Sequence, residues 1–356
     1  MHDTRPASTF LSIGVAIAAA ILAMIVALPL LSNSPVQTLY SFLMGPFRNW
    51  FYMGNFLNRV GLYIIAGLAM IIAFQGGMFN LGGEGQVYAG ALSTTMFLLS
   101  VPKLIGPVGV IGAVCVAAGT GALIAGLSGL LKMKWNTDEL ISSFLLSSSL
   151  VYTIDYLVSG PLRNSESFLL SSSEIASKFR LPQLLPPSHL NLSLLAALLL
   201  IGLGYKYLFH TSSGYELRMT GLNREFARYG GIPIQRYYFI PMALSGGLYG
   251  IAGCLYVLGT SFATMQGSTS GMGWNGIAIA LIARIHPLLL LPAAIIFTYL
   301  EFGAENAMIY ADFSFEFGAV LQAIVLFLVT ARFSGFRVLR KQGVRKKGGK
   351  NAALDS

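Results

Sequence analysis

Charge is scarce in this 356-residue chain. Asp, Glu, Lys and Arg make up 10% of it, against about 25% in ordinary globular proteins. Hydrophobic residues make up 55%, and the mean hydropathy is +0.68. No charged residue falls between Arg5 and Arg48, between Arg59 and Glu84, or between Lys103 and Lys132. The longest uncharged stretch runs from Tyr237 to Ala283. A bilayer-spanning helix takes about 20 apolar residues, so that stretch has room for two. A water-soluble globular domain is excluded.

Reactive residues are equally sparse. Cys115 and Cys254 both lie in apolar segments and read as packing residues, so no disulfide framework is implied. The four histidines (His2, His189, His210 and His286) are scattered. There is no His-Glu-x-x-His and no Cys/His cluster for a metal. No phosphate loop of the form Gly-x-x-x-x-Gly-Lys-Ser/Thr is present. Its nearest approach, Gly343 to Lys350, has Gly349 where the lysine belongs. No metal, no cofactor and no nucleophile or acid–base set for chemistry on lipid is expected. If the chain works with ATP, another polypeptide must hydrolyse it.

What the sequence has in abundance is apolar runs. They predict an all-α polytopic membrane protein of about ten spans, at 9–31, 57–75, 86–101, 108–131, 140–159, 190–209, 236–259, 274–285, 287–303 and 316–332. The first run exceeds the about 7–15 apolar residues of a cleaved signal peptide, and reads as a retained helix. The eighth is short and follows Gly271-Met272-Gly273, which suggests a broken or re-entrant element. With the N-terminus inside, Lys132, Lys134, Lys206, Arg218, Arg224, Arg228, Arg236, Arg284 and the basic tail fall on the cytoplasmic side. Only Arg48, Arg59, Lys103, Arg163, Lys178 and Arg180 fall outside. That asymmetry predicts both termini in the cytoplasm. The chain then divides into a head at 1–8, a transmembrane domain at 9–332 and a basic tail at 333–356. The tail carries much of the net charge of +9. It reads as a positive-inside flank on the lipid bilayer, with no nucleic-acid partner. An external loop at 160–189, rich in Ser and Pro, reads as a lid or docking surface or as a connector. Tyr152, Asp155 and Tyr156 beside it read as anchors at the membrane interface, and Glu301, Glu305 and Asp312 as surface or vestibule groups.

One polar interruption stands out. Gly76-Gly77-Met78-Phe79-Asn80-Leu81-Gly82-Gly83-Glu84-Gly85-Gln86 lies between two runs of spanning length. Backbone groups freed by the glycines need partners in hydrocarbon, and an intramembrane carboxylate disfavours insertion by about 3 kcal/mol. Such a break persists where protein or a water-filled cavity covers it, and a solute path is the natural reason to keep one. The second half echoes it in Gly273-Trp274-Asn275-Gly276-Ile277-Ala278. Paired glycine-interrupted segments point to a site between two pseudo-repeats. The expected path residues are Phe79, Asn80, Glu84, Gln86, Trp274 and Asn275. Phe79 and Trp274 suit stacking on a flat ring, and the amides suit its edge or a sugar hydroxyl. Glu84 also has a structural reading, in which its carboxylate caps helix ends or binds glycine amides.

The cytoplasmic loop at 210–233 is polar and punctuated by glycine. Asn223 is placed to cap a short helix ending near Tyr229, with Gly230-Gly231 and Pro233 as its stop. Thr211, Gly214, Leu217, Arg218, Gly221, Asn223, Ala227, Gly231 and Ile232 fit a pattern here. It resembles the coupling segment of ABC-importer permeases of the branched-chain amino acid, simple sugar and nucleoside superfamily. Met219 and Phe226 replace the alanines usual in that pattern. Phe79 to Gln86, Asn136 to Ile141 and Gly276 to Leu281 are similar to further motifs of that superfamily, and the likeness spans roughly 57–332. It is most like the nucleoside-importer branch, which riboflavin importers also resemble.

The resemblance implies a type II ABC-importer-like fold and a non-catalytic permease subunit in a bacterial cytoplasmic (inner) membrane. Gly214, Leu217, Arg218, Gly221, Asn223, Arg224, Ala227 and Gly231 would couple it to ABC ATPase subunits. A second permease chain, different from this one, and an external substrate-binding lipoprotein or periplasmic protein would complete the importer. The implied cargo is a nucleoside-like solute, with riboflavin or a simple sugar as alternatives. A lower alternative is an ion-coupled secondary transporter, for which Glu84 is the lone candidate carboxylate.

Overall fold

The structure is a computed structural model that describes residues 34–310. Within it, Tyr40–Asn306 forms one compact unit. The expected spans at 9–31 and 316–332, the head at 1–8, the tail at 333–356 and Asp312 lie outside the described residues.

The described residues are helical, with no strand among them beyond two isolated bridges. In chain order the α-helices are α1 (Pro35–Met44), α2 (Trp50–Gln75), α3 (Gly83–Ser100), α4 (Gly106–Trp135), α5 (Glu139–Ser159), α6 (Ser193–His210), α7 (Ser212–Leu222), α8 (Arg224–Tyr229), α9 (Arg236–Tyr256), α10 (Met272–Ile282) and α11 (Leu290–Tyr310). A π turn, Val257–Ser261, prolongs α9.

Among the described residues, six segments are long and apolar enough to cross a bilayer: Trp50–Gln75, Gly106–Trp135, Glu139–Ser159, Ser193–His210, Arg236–Ser261 and Pro287–Ile309. Burial sorts them into two layers. The apolar window of α2 is 89% buried, whereas those of α4, α5 and α6 are 28%, 22% and 28% buried. A helix apolar all round belongs in a core or in lipid. Here α2 is the core, and α4 to α6 turn apolar side chains outward. Cys254 packs inside α9 as expected, but Cys115 is exposed on α4. Alternate faces of an outer helix meet different surroundings, so an apolar setting in sequence does not by itself bury a residue.

The sequence places the helix limits through caps more than through hydropathy. Asn49 starts α2 by accepting a hydrogen bond from the Tyr52 amide at 3.0 Å. Asp138 starts α5 by accepting from the Leu140 amide at 2.8 Å. Asn136 ends α4 in the left-handed region, and Lys132 pairs with Glu139 across that turn at 3.0 Å. The Asn136 to Ile141 motif is therefore a helix–turn–helix joint. The expected span at 86–101 corresponds to α3, which begins earlier, at Gly83. The expected eighth span, 274–285, corresponds to α10, whose eleven residues are too few to cross a bilayer.

The loop at 160–189 is part of the folded core. Its Ser172 and Ile175 amides donate to the carbonyls of Thr264 and Phe262 at 2.9 and 2.8 Å. Ile175 and Phe179 are buried against Ala91, Leu98, Ala113, Ala117 and Leu258. Asp155 ties this region down by accepting from the Tyr88 hydroxyl at 2.7 Å, while Tyr152 and Tyr156 are exposed.

Helices α4 and α9 pack through small residues, as helices do where lipid removes the hydrophobic drive between them. A Cβ on Gly246 would collide with the Gly121 carbonyl and the Ala125 methyl. A Cβ on neighbouring Gly247 would meet the Ala118 carbonyl at an ordinary 3.4 Å. Gly246→Ala should therefore destabilise the purified chain by about 1–3 kcal/mol in denaturant titration, with Gly247→Ala near neutral. Equal effects would remove this contact from the core.

Candidate functional site

The glycine-rich stretch is an elbow between α2 and α3. Gly77 takes φ +65°, a conformation that strains residues with a Cβ, and α3 begins at Gly83. The first amide groups of a helix lack intrahelical partners, and α5 supplies some. Ser143 Oγ accepts from the Leu81 amide at 3.1 Å, and Ser147 Oγ from the Gly85 amide at 2.8 Å. These serines lie one turn apart on one face of α5.

The expected path residues separate into distinct settings. Asn80 and Gln86 are fully buried. They form a reciprocal amide pair: Asn80 Nδ2 donates to Gln86 Oε1 at 2.8 Å, and Gln86 Nε2 donates to Asn80 Oδ1 at 2.9 Å. Asn80 Nδ2 also donates to Ser245 Oγ of α9, at 2.9 Å. In this arrangement the two amides brace the elbow.

Glu84 lies in the first turn of α3, and its carboxylate reaches the start of α10. Oε1 accepts from the Gly271 amide at 3.0 Å, and Oε2 from the Gly273 amide at 2.9 Å. A negative charge is favoured at a helix N-terminus, and this one carboxylate serves two such ends. The geometry is that of the structural reading of Glu84. It also joins the two echoed glycine segments directly. Tyr249 of α9 reinforces the joint, its hydroxyl donating to the Gly273 carbonyl at 3.2 Å.

Phe79 and Trp274 are about half exposed, at 44% and 45%. They do not pair with each other: Phe79 meets Phe74 edge-on at 5.1 Å, and Trp274 meets Phe144 at 6.1 Å. Phe144, also exposed, was not legible as a site residue because it sits in an apolar run with nothing to mark it. Asn275 points elsewhere again. Its Nδ2 donates to the Tyr63 hydroxyl at 2.8 Å, and that hydroxyl donates to Glu301 at 2.7 Å. Arg59 completes the group, 2.6 Å from Glu305 and 3.6 Å from Glu301. This network joins α2, α10 and α11, and no local pattern links Arg59 and Tyr63 to carboxylates some 240 positions on.

The 210–233 segment packs against the elbow. Thr211 caps α7 through the Gly214 amide at 3.0 Å, and Leu217 is buried. Asn223 caps α8 through the Phe226 amide at 3.0 Å, and Gly230 and Gly231 end it. Ala227 packs inward, whereas Phe226 and Tyr229 are 61% and 90% exposed. Arg218 stacks on Phe209 at 4.6 Å. A Cβ on Gly221 would strike the Gln75 carbonyl and lie 2.8 Å from the Gly77 amide nitrogen. Arg224 donates to the Gly77 carbonyl at 2.9 Å and stacks on Tyr238 at 5.0 Å. The 210–233 segment and the glycine-rich elbow thus touch backbone to backbone.

These features define a multi-pass helical membrane protein with a polar break braced from inside. The family model described as branched-chain amino acid transport system / permease component matches residues 52–330, and the chain belongs to that family. It is 32% identical over 338 residues to the probable riboflavin import permease protein RfuC of Treponema pallidum, covering 94% of this chain and 87% of that protein. It is 28% identical over 326 residues to the guanosine ABC transporter permease protein NupP of Bacillus subtilis, covering 90% and 92%. It is also 28% identical over 321 residues to the glucose ABC transporter permease protein TsgB13 of Haloferax volcanii, covering 86% and 84%.

Glu84→Gln would set an amide donor against one of the two glycine amides. It should destabilise the chain by about 1–3 kcal/mol, read as a lower midpoint of thermal unfolding in detergent. An unchanged midpoint would remove the bridging role.

Proposed function

We propose that this chain is the membrane subunit of an ATP-driven importer, a half-pore that carries a nucleoside-like solute across a bacterial inner membrane. The observation that carries this reading is the backbone contact of Gly221 with Gln75 and Gly77, locked by Arg224 on the Gly77 carbonyl. A cytoplasmic ATPase gripping α8, through exposed Phe226 and Tyr229 beside Arg224 and Arg228, would push on the elbow itself. The elbow's load passes through Glu84 to α10, so both glycine segments move as one body. Gly214, Leu217 and Ala227 hold α7 and α8 in shape for that contact, and Gly231 closes the turn.

The solute path runs along the exposed aromatics Phe79, Phe144 and Trp274, facing a second and different permease chain. Asn80, Glu84 and Gln86 shape the path from behind, and Asn275 bounds it on the outer side. An external binding protein, lipid-anchored or periplasmic, delivers the solute to the face bearing the 160–189 loop. Both termini are cytoplasmic in this reading, in a type II importer arrangement of about ten spans. The chain catalyses no covalent step. Two of the cargoes named for its relatives, guanosine and riboflavin, share a flat heteroaromatic ring and a hydroxylated side group, whereas the third, glucose, has no such ring. That supports a nucleoside first and riboflavin second. An ion-coupled carrier is disfavoured, because both oxygens of Glu84 are engaged by backbone amides.

Gly221→Ala should lower solute transported per ATP hydrolysed by about tenfold in the reconstituted importer, with ATPase subunits still bound. Normal coupling would overturn the assignment of the 210–233 segment. Trp274→Ala should weaken uptake of guanosine more than that of glucose in competition assays. An unaltered preference would take Trp274 out of the path.

A further inference from the structure

One cavity of about 310 Å³ is not accounted for by the elbow. It lies between α2, the π turn after α9, the 262–271 segment and α11, and is lined by Arg59, Tyr63, His189, Ser268, Glu305 and their neighbours. The cavity is built. Asn58 forms its floor, donating to Thr260 Oγ1 at 2.9 Å and accepting from Asn191 Nδ2 at 2.9 Å. Arg59, Tyr63, Glu301 and Glu305 form its charged wall, and Phe302 and Tyr256 supply apolar surface.

Two residues that line it each carry a buried polar atom with no hydrogen-bond partner among the protein's own groups: His189 Nδ1 and Ser268 Oγ. Buried polar atoms in folded proteins are nearly always paired, so two orphans in one polar cavity mark a place for a ligand's own hydroxyls or ring nitrogens. The charge on the wall narrows the ligand further. One guanidinium faces two carboxylates, at 2.6 and 3.6 Å. Arg59 is engaged by both, and the surplus is negative. A phosphate there would meet a carboxylate at close range with no free cation to offset it. The volume lies at the lower end of the about 300–1,000 Å³ typical of small-molecule sites. A sugar, or a sugar with one base, matches that space.

Resting on the permease reading above, we propose that this cavity is a solute-holding vestibule inside a single protomer. It takes an uncharged, hydroxyl-rich solute and excludes the phosphate ester of the same solute. Solute hydroxyls donate to Glu305 and complete His189 and Ser268, while Phe302 and Tyr256 flank the apolar face of the ring.

The test uses the complete importer in proteoliposomes, with Cys115→Ala to remove the exposed native thiol. Ser268→Cys is labelled by a cationic, membrane-impermeant thiosulfonate, with ribose, guanosine or ribose 5-phosphate present at millimolar concentration. Ser270→Cys, on the same wall, repeats the measurement should the first variant not assemble. Labelling should slow about fivefold with ribose or guanosine and be unchanged by ribose 5-phosphate, and His189→Gln should raise the uptake KM about fivefold with little change in kcat. No labelling, labelling that no solute slows, or equal protection by the phosphate ester would overturn the vestibule. ATP-driven uptake is followed in the same vesicles. Uptake without protection sinks the vestibule alone, and protection without ATP-driven uptake sinks the importer reading instead.

Discussion

The arrangement of the membrane domain depends on one carboxylate held between two helix starts. Glu84 belongs to α3 and binds the amides that open α10. An isolated charge at that depth would be expelled. Two backbone donors and two aligned helix dipoles offset its desolvation and make it a fastener. Short helices that begin inside a bilayer expose amides that lipid cannot satisfy. The protein meets that demand at α3 with serines from α5 and at α10 with Glu84. Both interrupted elements can therefore exist only together, packed against α2 and α9.

The second constraint is close approach. Where the 210–233 segment meets the elbow, and where α4 meets α9, backbones touch with no side chain between them. Small residues at such contacts substitute packing for the hydrophobic drive that lipid removes. The polar network of Arg59, Tyr63, Asn275 and Glu301 does comparable work within the first half of α2. A core helix that is mostly apolar is thus also held by polar contacts.

Much of this was legible in the sequence, and the reasons are local. Asn223, Gly230 and Gly231 announce α8 because caps and stops act within a few residues. The Phe79 to Gln86 stretch announces an interruption because glycine and a carboxylate conflict with their apolar surroundings. What was not legible is what binds at a distance. Ser143 and Ser147 look like ordinary polar residues in a long helix until α3 is packed on them. The amide pair of Asn80 and Gln86 read as groups open to a solute, and the fold turns them inward onto each other. Boundaries shifted for a related reason: Gly83 and Glu84 depress hydropathy yet sit inside α3, since their partners come from other helices.

The meeting of Gly221 with Gly77 has a mechanical corollary. A side chain at such a joint would absorb displacement by changing rotamer, as a spring does. Bare main chain against bare main chain has no such compliance, so a shift of the inner segment arrives at the bend undamped. Resistance in the opposite sense includes Arg224, which reaches the Gly77 carbonyl and the Met78 sulfur. On the coupling role proposed above, such a joint would pass a push from α8 to the bend with little loss.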